Sequence, residues 1–470
     1  MFDAYIRDHA SWNPRAPAVL LPRREVSYAE LDADVDRLGG WLAAQGLTPG
    51  VGAVSVAVAD AYEQYVATAA LSRLAIASAP AADDGADLRL VDHPPAEPGG
   101  PPRLEISRDW RAAEPRRLPA LLPDPDALGR VMLSSGTTRT ARRVALSWRR
   151  LDLGNYATLH QYCAGKLGAW TPLTGIDSMM GWALVTGAWS VGACAVNGWS
   201  MDDIPRRLES LPSGVIGLTP TLLRTLLAAL PPGFRPQPGW RIVCGGALLP
   251  LAVAREARLR LTPDIRLIYG ATEIGTIALG FAAGLEDAPD QIGIVPSGIT
   301  VEFIGDDGRP VPDGEAGEIR VRGPRIVPGY IGDPQATAER FRDGWFHTGD
   351  LGRRLADGRV ALAGRVDDRM IVDGMKFMPS VLEDAAMACP GVRDAAAFAV
   401  PDIAGLDQCW LAVSAEPGFD RDSLAPHLAR YPGLPAYRFA WIGEIPRNAM
   451  GKVERTKLRA AVLAVTGQGQ

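Results

Sequence analysis

The sequence predicts an α/β protein: a large N-terminal domain of parallel-rich α/β sheets plus a small β subdomain, followed by a small mobile α+β C-terminal domain. Three observations lead there. Short apolar runs alternate with helical patterns, as strand, helix, strand over 51–58, 60–74 and 88–91, and again over 215–219, 220–230 and 240–243; that order implies a parallel sheet. From 296 to 330 the pattern changes to short β runs at 301–304 and 317–321, separated by turns rich in Asp, Gly and Pro. Finally, Gly364-Arg365-Val366-Asp367-Asp368-Arg369 packs opposite charges between two β-like runs, a composition suited to a solvated swivel between domains.

The composition allows this and narrows the function. At 470 residues with 47% apolar side chains, the chain has material for at least two buried cores. Lys and Arg number 49 against 54 Asp and Glu, so no overall basic field recruits nucleic acid or an anionic membrane, and any anion site must be local. The 5 cysteines are scattered and form no CxxC pair, which argues against a disulfide framework or a zinc site and fits a reducing cytoplasm. The opening MFDAYIRDHASWNP lacks the pattern of a secretory signal. Residues 178–201 carry no charge, but their glycines, serines and asparagine and the lack of basic flanks fit burial in an α/β core better than a membrane span.

In chain order, Ser27 precedes an amphipathic helix over 29–45, with Leu31, Val35, Leu38 and Leu42 at helical spacing. The Pro- and Gly-rich stretches 93–103 and 119–125 read as surface connections. Apolar runs at 131–133 and 144–146 flank a polar, basic tip, Ser134 to Arg143. Its hydroxyls, its glycine and Arg139, Arg142 and Arg143 form a plausible cradle for phosphate oxygens, although it is no Walker A loop. Gly245-Gly246-Ala247 follows a strand and opens a helix, so backbone there can approach a flat ligand. A strand over 265–268 ends in Tyr269-Gly270-Ala271-Thr272-Glu273, and both loops leave the carboxyl ends of strands, where open α/β sheets bind ligands. Asp350, on a turn after Thr348-Gly349, is placed to accept hydrogen bonds from a vicinal diol such as a ribose. Beyond the junction, helices over 380–387 and 422–430 and strands over 395–400 and 410–414 make a compact domain, closed by Pro446 to Arg455 and a helix.

Several stretches together resemble motifs of the adenylate-forming superfamily, which includes acyl- and aryl-CoA ligases, carrier-protein adenylation domains and luciferases. They are SSGTT at 134–138, YGATE at 269–273, TGDLGRR at 348–354, GRVDDR at 364–369, GMKFMPSVLE at 374–383 and PRNAMGK at 446–452. The resemblance implies that Ser134, Ser135, Gly136, Thr137 and Thr138 hold phosphates and that Arg142 stands in for the usual lysine. Arg139 and Arg143 replace glycines, and Trp148 replaces a histidine. It also implies nucleotide contacts at Tyr269, Gly270 and Thr272, with Glu273 on Mg²⁺, Asp350 on the ribose and Arg365 near the nucleotide, and the Gly245, Gly246 and Ala247 backbone is expected to join them. Asp367 becomes the hinge pivot, and Lys452 the catalytic lysine beside Glu273 and Arg142. The acid pocket falls on Asp177, Met180, Gly181 and Trp182, with Thr174 where relatives often carry a histidine, and Asp177 could meet a polar substituent.

The implied domains are an adenylation core over 1–365 and a C-terminal lid over 366–470. The implied activity uses ATP and Mg²⁺ to turn a small carboxylic acid, preferably aromatic, into an acyl-adenylate with release of pyrophosphate. The acyl group then passes to a thiol, with CoA as first choice and a carrier protein next. A non-catalytic nucleotide-binding protein with an altered phosphate loop is the rival from another class. No nucleic acid, no membrane and a cytoplasmic location are expected.

Overall fold

The computed structural model describes residues 1–92, 100–134, 141–158, 168–366, 370–372, 375–401, 407–431, 434–447 and 453–466. Two sheets form the body of the large domain. The first has eight strands in the order Gly275–Phe281, Ile265–Ala271, Trp240–Gly245, Gly214–Leu218, Ala169–Pro172, Cys194–Val196, Pro17–Leu20 and Glu25–Ser27. The second has six, in the order Arg103–Glu105, Leu88–Val91, Ala53–Ala57, Ala77–Ala79, Leu128–Leu133 and Arg143–Ser147. Pairing is parallel throughout except in three terminal pairs: the two at the ends of the first sheet and the hairpin that closes the second. Every residue of Trp240–Gly245 is buried, as expected of a strand covered on both faces.

The helices follow their local signals. Ser27 and Glu30 close a reciprocal capping box on the helix Tyr28–Ala44, and Leu31, Val35, Leu38 and Leu42 form its buried stripe. The uncharged stretch becomes the helix Met179–Ser190, which Ser178 caps and which buries Trp182, Leu184, Val185 and Trp189 in the main core. Among the described residues no helix is long and apolar enough to cross a membrane.

Three expectations need correction. The β subdomain is wider than residues 296–330: Gln291–Gly293, Trp345–Arg354 and Val360–Arg365 join Thr300–Ile304 and Gly317–Arg322 in one antiparallel sheet. A lone two-stranded hairpin has too little apolar face to be stable, and the added strands supply it. The helix expected right after Gly245-Gly246-Ala247 starts only at Leu251, because Pro250 is its N-cap. The helix expected over 422–430 shrinks to Leu424–Leu428, with Pro426 in its first turn and a short 3₁₀ turn, Arg421–Ser423, before it.

The C-terminal part is a three-stranded sheet, Val392–Pro401, Asp407–Ala415 and Tyr437–Trp441, with the helices Pro379–Met387, Leu424–Leu428 and Arg455–Thr466. Its two hydrophobic clusters draw their residues from 370 onwards. It meets the large domain where Arg224 Nη1 donates to the Arg393 carbonyl at 2.9 Å and Ser380 Oγ to the Ala363 carbonyl at 3.4 Å.

Candidate active site

The carboxyl edge of the eight-stranded sheet and the antiparallel β sheet meet around three side chains. Tyr269, at the end of Ile265–Ala271, donates its hydroxyl to Asp350 Oδ2 at 2.6 Å. Arg365 Nη1 donates to the other oxygen, Oδ1, at 2.8 Å, because Asp350 and Arg365 are directly paired across strands Trp345–Arg354 and Val360–Arg365. The turn before Asp350 needs Gly349: its φ is +73°, and the Arg340 guanidinium passes where a side chain would stand. Burial and the Asp350 carboxylate hold the Tyr269 phenol well above its ordinary value, so it stays a donor. Each carboxylate oxygen has a second lone pair, which leaves Asp350 able to accept further hydroxyls.

A second cluster surrounds Glu273. Its backbone carbonyl accepts from Val327 N at 2.9 Å and Arg150 Nη2 at 3.2 Å, which pins the turn after Thr272. Its buried carboxylate accepts from the Tyr330 hydroxyl at 2.8 Å. Burial raises the Glu273 carboxyl, and the Tyr330 hydrogen bond and the charges of Arg340 and Arg142 oppose that rise. Tyr330, Arg340 and Arg150 were not among the residues singled out from sequence. Tyr330 stands in a Pro-Gly-Tyr turn with no pattern of its own.

The hairpin of Leu128–Leu133 and Arg143–Ser147 reaches the same place. Ser134 and Arg142 close its neck, with Ser134 N donating to the Arg142 carbonyl at 2.8 Å and Arg142 N to Ser134 Oγ at 3.3 Å. The Arg142 side chain lies over the Tyr330 ring at 5.2 Å and 3.6 Å from Asp333. Arg143 turns away: it holds the buried carboxylate of Asp83 through Nε at 2.8 Å and Nη2 at 3.1 Å. It therefore does not join a phosphate cradle. Trp148, in the histidine's place, is buried beside Gly129. Ser135, Gly136, Thr137, Thr138, Arg139, Asp367 and Lys452 lie outside the described residues.

Gly246 and Ala247 are exposed at the end of Trp240–Gly245, Gly246 with φ +92°. Gly245 is buried, and a Cβ there would come within 3.0 Å of the Ile268 carbonyl and 3.3 Å of Met180 Cε. Gly270 likewise leaves room for the Gly275 carbonyl.

Of the four residues assigned to the acid pocket, Trp182 lines a pocket in this region, with Leu146, Arg150, Leu151, Met179, Ile274 and others. This pocket encloses about 380 Å³ of atom-free space, part of it open to solvent. Thr272, next to Glu273 in the chain, is also in its lining. Met180 packs instead beneath Gly217 and Gly245, and Gly181 lets the helix start against the Gly175 carbonyl. Asp177 accepts from Arg130 Nη2 at 3.3 Å and from Ala81 N at 3.1 Å, so its carboxylate already balances a buried arginine. No set of three or more His, Cys, Asp or Glu able to hold a metal ion occurs among the described residues.

Comparison with known proteins gives a consistent picture. Residues 89–331 match the family model described as AMP-binding enzyme. Sulfoacetate–CoA ligase of Cupriavidus necator is 34% identical over 357 residues, 72% of this chain and 67% of that protein. Fatty acid–[acyl-carrier-protein] ligase ScoC of Streptomyces coeruleorubidus is 27% identical over 496 residues, 96% of this chain and 94% of that protein. Among solved structures, O-succinylbenzoate coenzyme A synthetase from Bacillus subtilis, in complex with ATP and a magnesium ion, has a TM-score of 0.85 at 21% identity, covering 97% of this chain and 99% of that one.

Proposed function

Because the chain belongs to the family of AMP-binding enzymes, we propose that the site activates a carboxylic acid with ATP and passes the acyl group to a thiol. It is an AMP-forming acid–thiol ligase. The observation that carries the reading is the convergence of Tyr269, Asp350 and Arg365 beside the buried Glu273–Tyr330 pair. Asp350, already oriented by two donors, takes the ribose hydroxyls, and Arg142 and the hairpin tip take the triphosphate. A carboxylate bound in the neighbouring pocket then attacks the α-phosphorus in line, and the bond to pyrophosphate breaks. Bringing two anions together is the main barrier, so fixed positive charge is the main catalytic resource.

The residues present suit Mg²⁺ in one particular way. Magnesium is commonly held by one or two carboxylates plus substrate phosphates, and Glu273 offers one buried carboxylate whose charge burial disfavours. When bound, Mg²⁺ would neutralise charge on the triphosphate, with Glu273 as its protein ligand. Lys452 is proposed as the cation that bridges carboxylate and α-phosphate, and Asp367 as the pivot between a core over 1–365 and a lid over 366–470. Turning the lid would withdraw Lys452 after adenylation and open a path for the thiol.

CoA is the proposed acceptor, supported by the likeness to sulfoacetate–CoA ligase. A carrier protein is the second reading, favoured by the likeness to the carrier-loading ligase, which spans nearly the whole chain. The apolar lining of the pocket by Leu146, Leu151, Met179 and Trp182 suits an acid with an apolar or aromatic body. The test is carboxylate-dependent exchange of pyrophosphate into ATP over a panel of acids, followed by thioester formation with CoA or a phosphopantetheinylated carrier. Exchange with some acid is expected; ATP binding with no exchange for any acid would refute the reading. Lys452→Ala should lower the exchange roughly a hundred- to a thousandfold while supplied acyl-adenylate still yields thioester.

A further inference from the structure

The acid pocket is not purely apolar. Arg150 rises into it from the helix Trp148–Thr158 and uses Nη2 on the Glu273 carbonyl at 3.2 Å. Its Nε and Nη1 are sealed from solvent and, among the described residues, find no hydrogen-bond partner. A charged donor closed off without an acceptor is costly to keep, so the arrangement invites an anion. Arg325 lines the same pocket, its Nη1 2.9 Å from where a Cβ on Gly275 would stand. Glycine at 275, with φ +83°, leaves the space that this second guanidinium occupies. Both guanidiniums line one space. The nearby carboxylate of Glu273 is turned to Tyr330.

We propose that this pocket takes an acid bearing a second anionic group, a sulfonate or a carboxylate, which Arg150 and Arg325 hold while the first carboxylate is activated. The proposal rests on the acyl-adenylate reading of the site. On this reading the nucleotide's phosphates take Arg142 and Arg340, whose charges act on the carboxylate of Glu273, and Arg150, which reaches the Glu273 backbone carbonyl, is left to the acid. Apolar Leu146, Leu151, Met179 and Trp182 fill the rest of the lining, so the two guanidiniums select by charge within a pocket that otherwise selects by shape.

The test uses acids paired by size: sulfoacetate with propionate, succinate with butyrate, and 2-sulfobenzoate with benzoate. Pyrophosphate exchange gives kcat/KM for each, and calorimetry gives binding of the acid alone. The doubly charged member of at least one pair should be preferred. Arg150→Gln should cut the ratio of dianion to monoanion kcat/KM roughly ten- to a hundredfold, the size of one or two charge-assisted hydrogen bonds, and Arg150→Lys should restore part of it. Preference for the singly charged member in every pair would overturn the proposal. So would an unchanged ratio in Arg150→Gln, or a rise in KM for ATP equal to the loss for the acid, which would make Arg150 a phosphate ligand. If no acid supports exchange, it is the adenylation reading that fails; calorimetry then decides the anion site alone, sustained by Arg150-dependent binding of a dianion and overturned by its absence. Should Arg150→Gln not fold, Arg325→Gln answers the same question.

Discussion

Two arginines lie in the neighbourhood of Trp182, one over its ring and one in the same pocket lining, and they differ in what the fold provides for them. Arg130 lies over the Trp182 ring at 4.1 Å and donates to Ser78 Oγ at 2.9 Å, the Ile176 carbonyl at 3.2 Å and Asp177 at 3.3 Å. Arg150, which lines the pocket with the same Trp182, has one acceptor and two nitrogens without any among the described residues. Burial depresses both guanidiniums to about 10. Burial and a shifted pKa therefore do not separate a structural arginine from one poised for a ligand. The supply of acceptors does: Arg130 completes the interior, and Arg150 has donors that the described residues do not satisfy.

The largest effect expected from this contrast is on stability. Arg130→Met would leave Asp177 without its cation and Ser78 without its donor. Asp177 keeps 35% of its side chain in solvent, so the cost is about 1–3 kcal/mol for each partner left unsatisfied, to be read from urea unfolding of the ligand-free protein. Arg150→Met removes sealed, unsatisfied donors and should be neutral or mildly stabilising under the same conditions. An equal loss in both variants would break the comparison and make Arg150 a structural residue.

The same logic sorts the two arginines at the neck of the hairpin. Arg143 holds Asp83, which is 1% exposed, whereas Arg142, among the described residues, makes a looser 3.6 Å approach to Asp333 and lies over the face of Tyr330. Arg142→Ala should weaken ATP binding or adenylation by roughly 1.5–3 kcal/mol for each charged hydrogen bond lost, with little change in unfolding. Arg143→Ala should destabilise the fold and leave the KM for ATP near that of wild type. Exchange of these two phenotypes would place Arg143 on the phosphates and contradict its pairing here.

Local signals carried most of the fold. The Ser27 and Glu30 cap, the stripe from Leu31 to Leu42 and the alternation of strand and helix all depend on neighbours within a turn or two, and they are readable in one dimension. The site was readable as far as its residues sit in short motifs: Tyr269 and Asp350, 81 residues apart, do come together. Partnership across the fold was not. Asp83 lies 60 residues from Arg143, Asp177 lies 47 from Arg130, and Tyr330 lies 57 from Glu273. Nothing near any of them in the chain announces the contact. Asp177 and Arg143 therefore read as free to meet a ligand when tertiary pairing had already engaged them.

The smallest effect concerns the carboxylate between the two arginine sets. Burial raises the Glu273 carboxyl, and a raised carboxyl contributes stability that is fully present below the ordinary glutamate value and is lost as pH rises through the raised one. Glu273→Gln removes that loss, so thermal unfolding of the ligand-free variant between pH 4 and pH 8, with no ATP or Mg²⁺, should show it gaining on wild type toward the alkaline end. Parallel curves would mean that Glu273 ionises without penalty. Tyr330→Phe acts on the same group from the other side. The Tyr330 hydroxyl donates to the carboxylate at 2.8 Å and favours its charged form, so deleting it raises Glu273 further. The acid limb of the adenylation pH profile should then move to higher pH, and the loss at neutral pH should stay near the low end of a charged hydrogen bond, about 1.5 kcal/mol. An acid limb that stays in place while the rate falls at every pH would show that Tyr330 positions the substrate and does not tune Glu273.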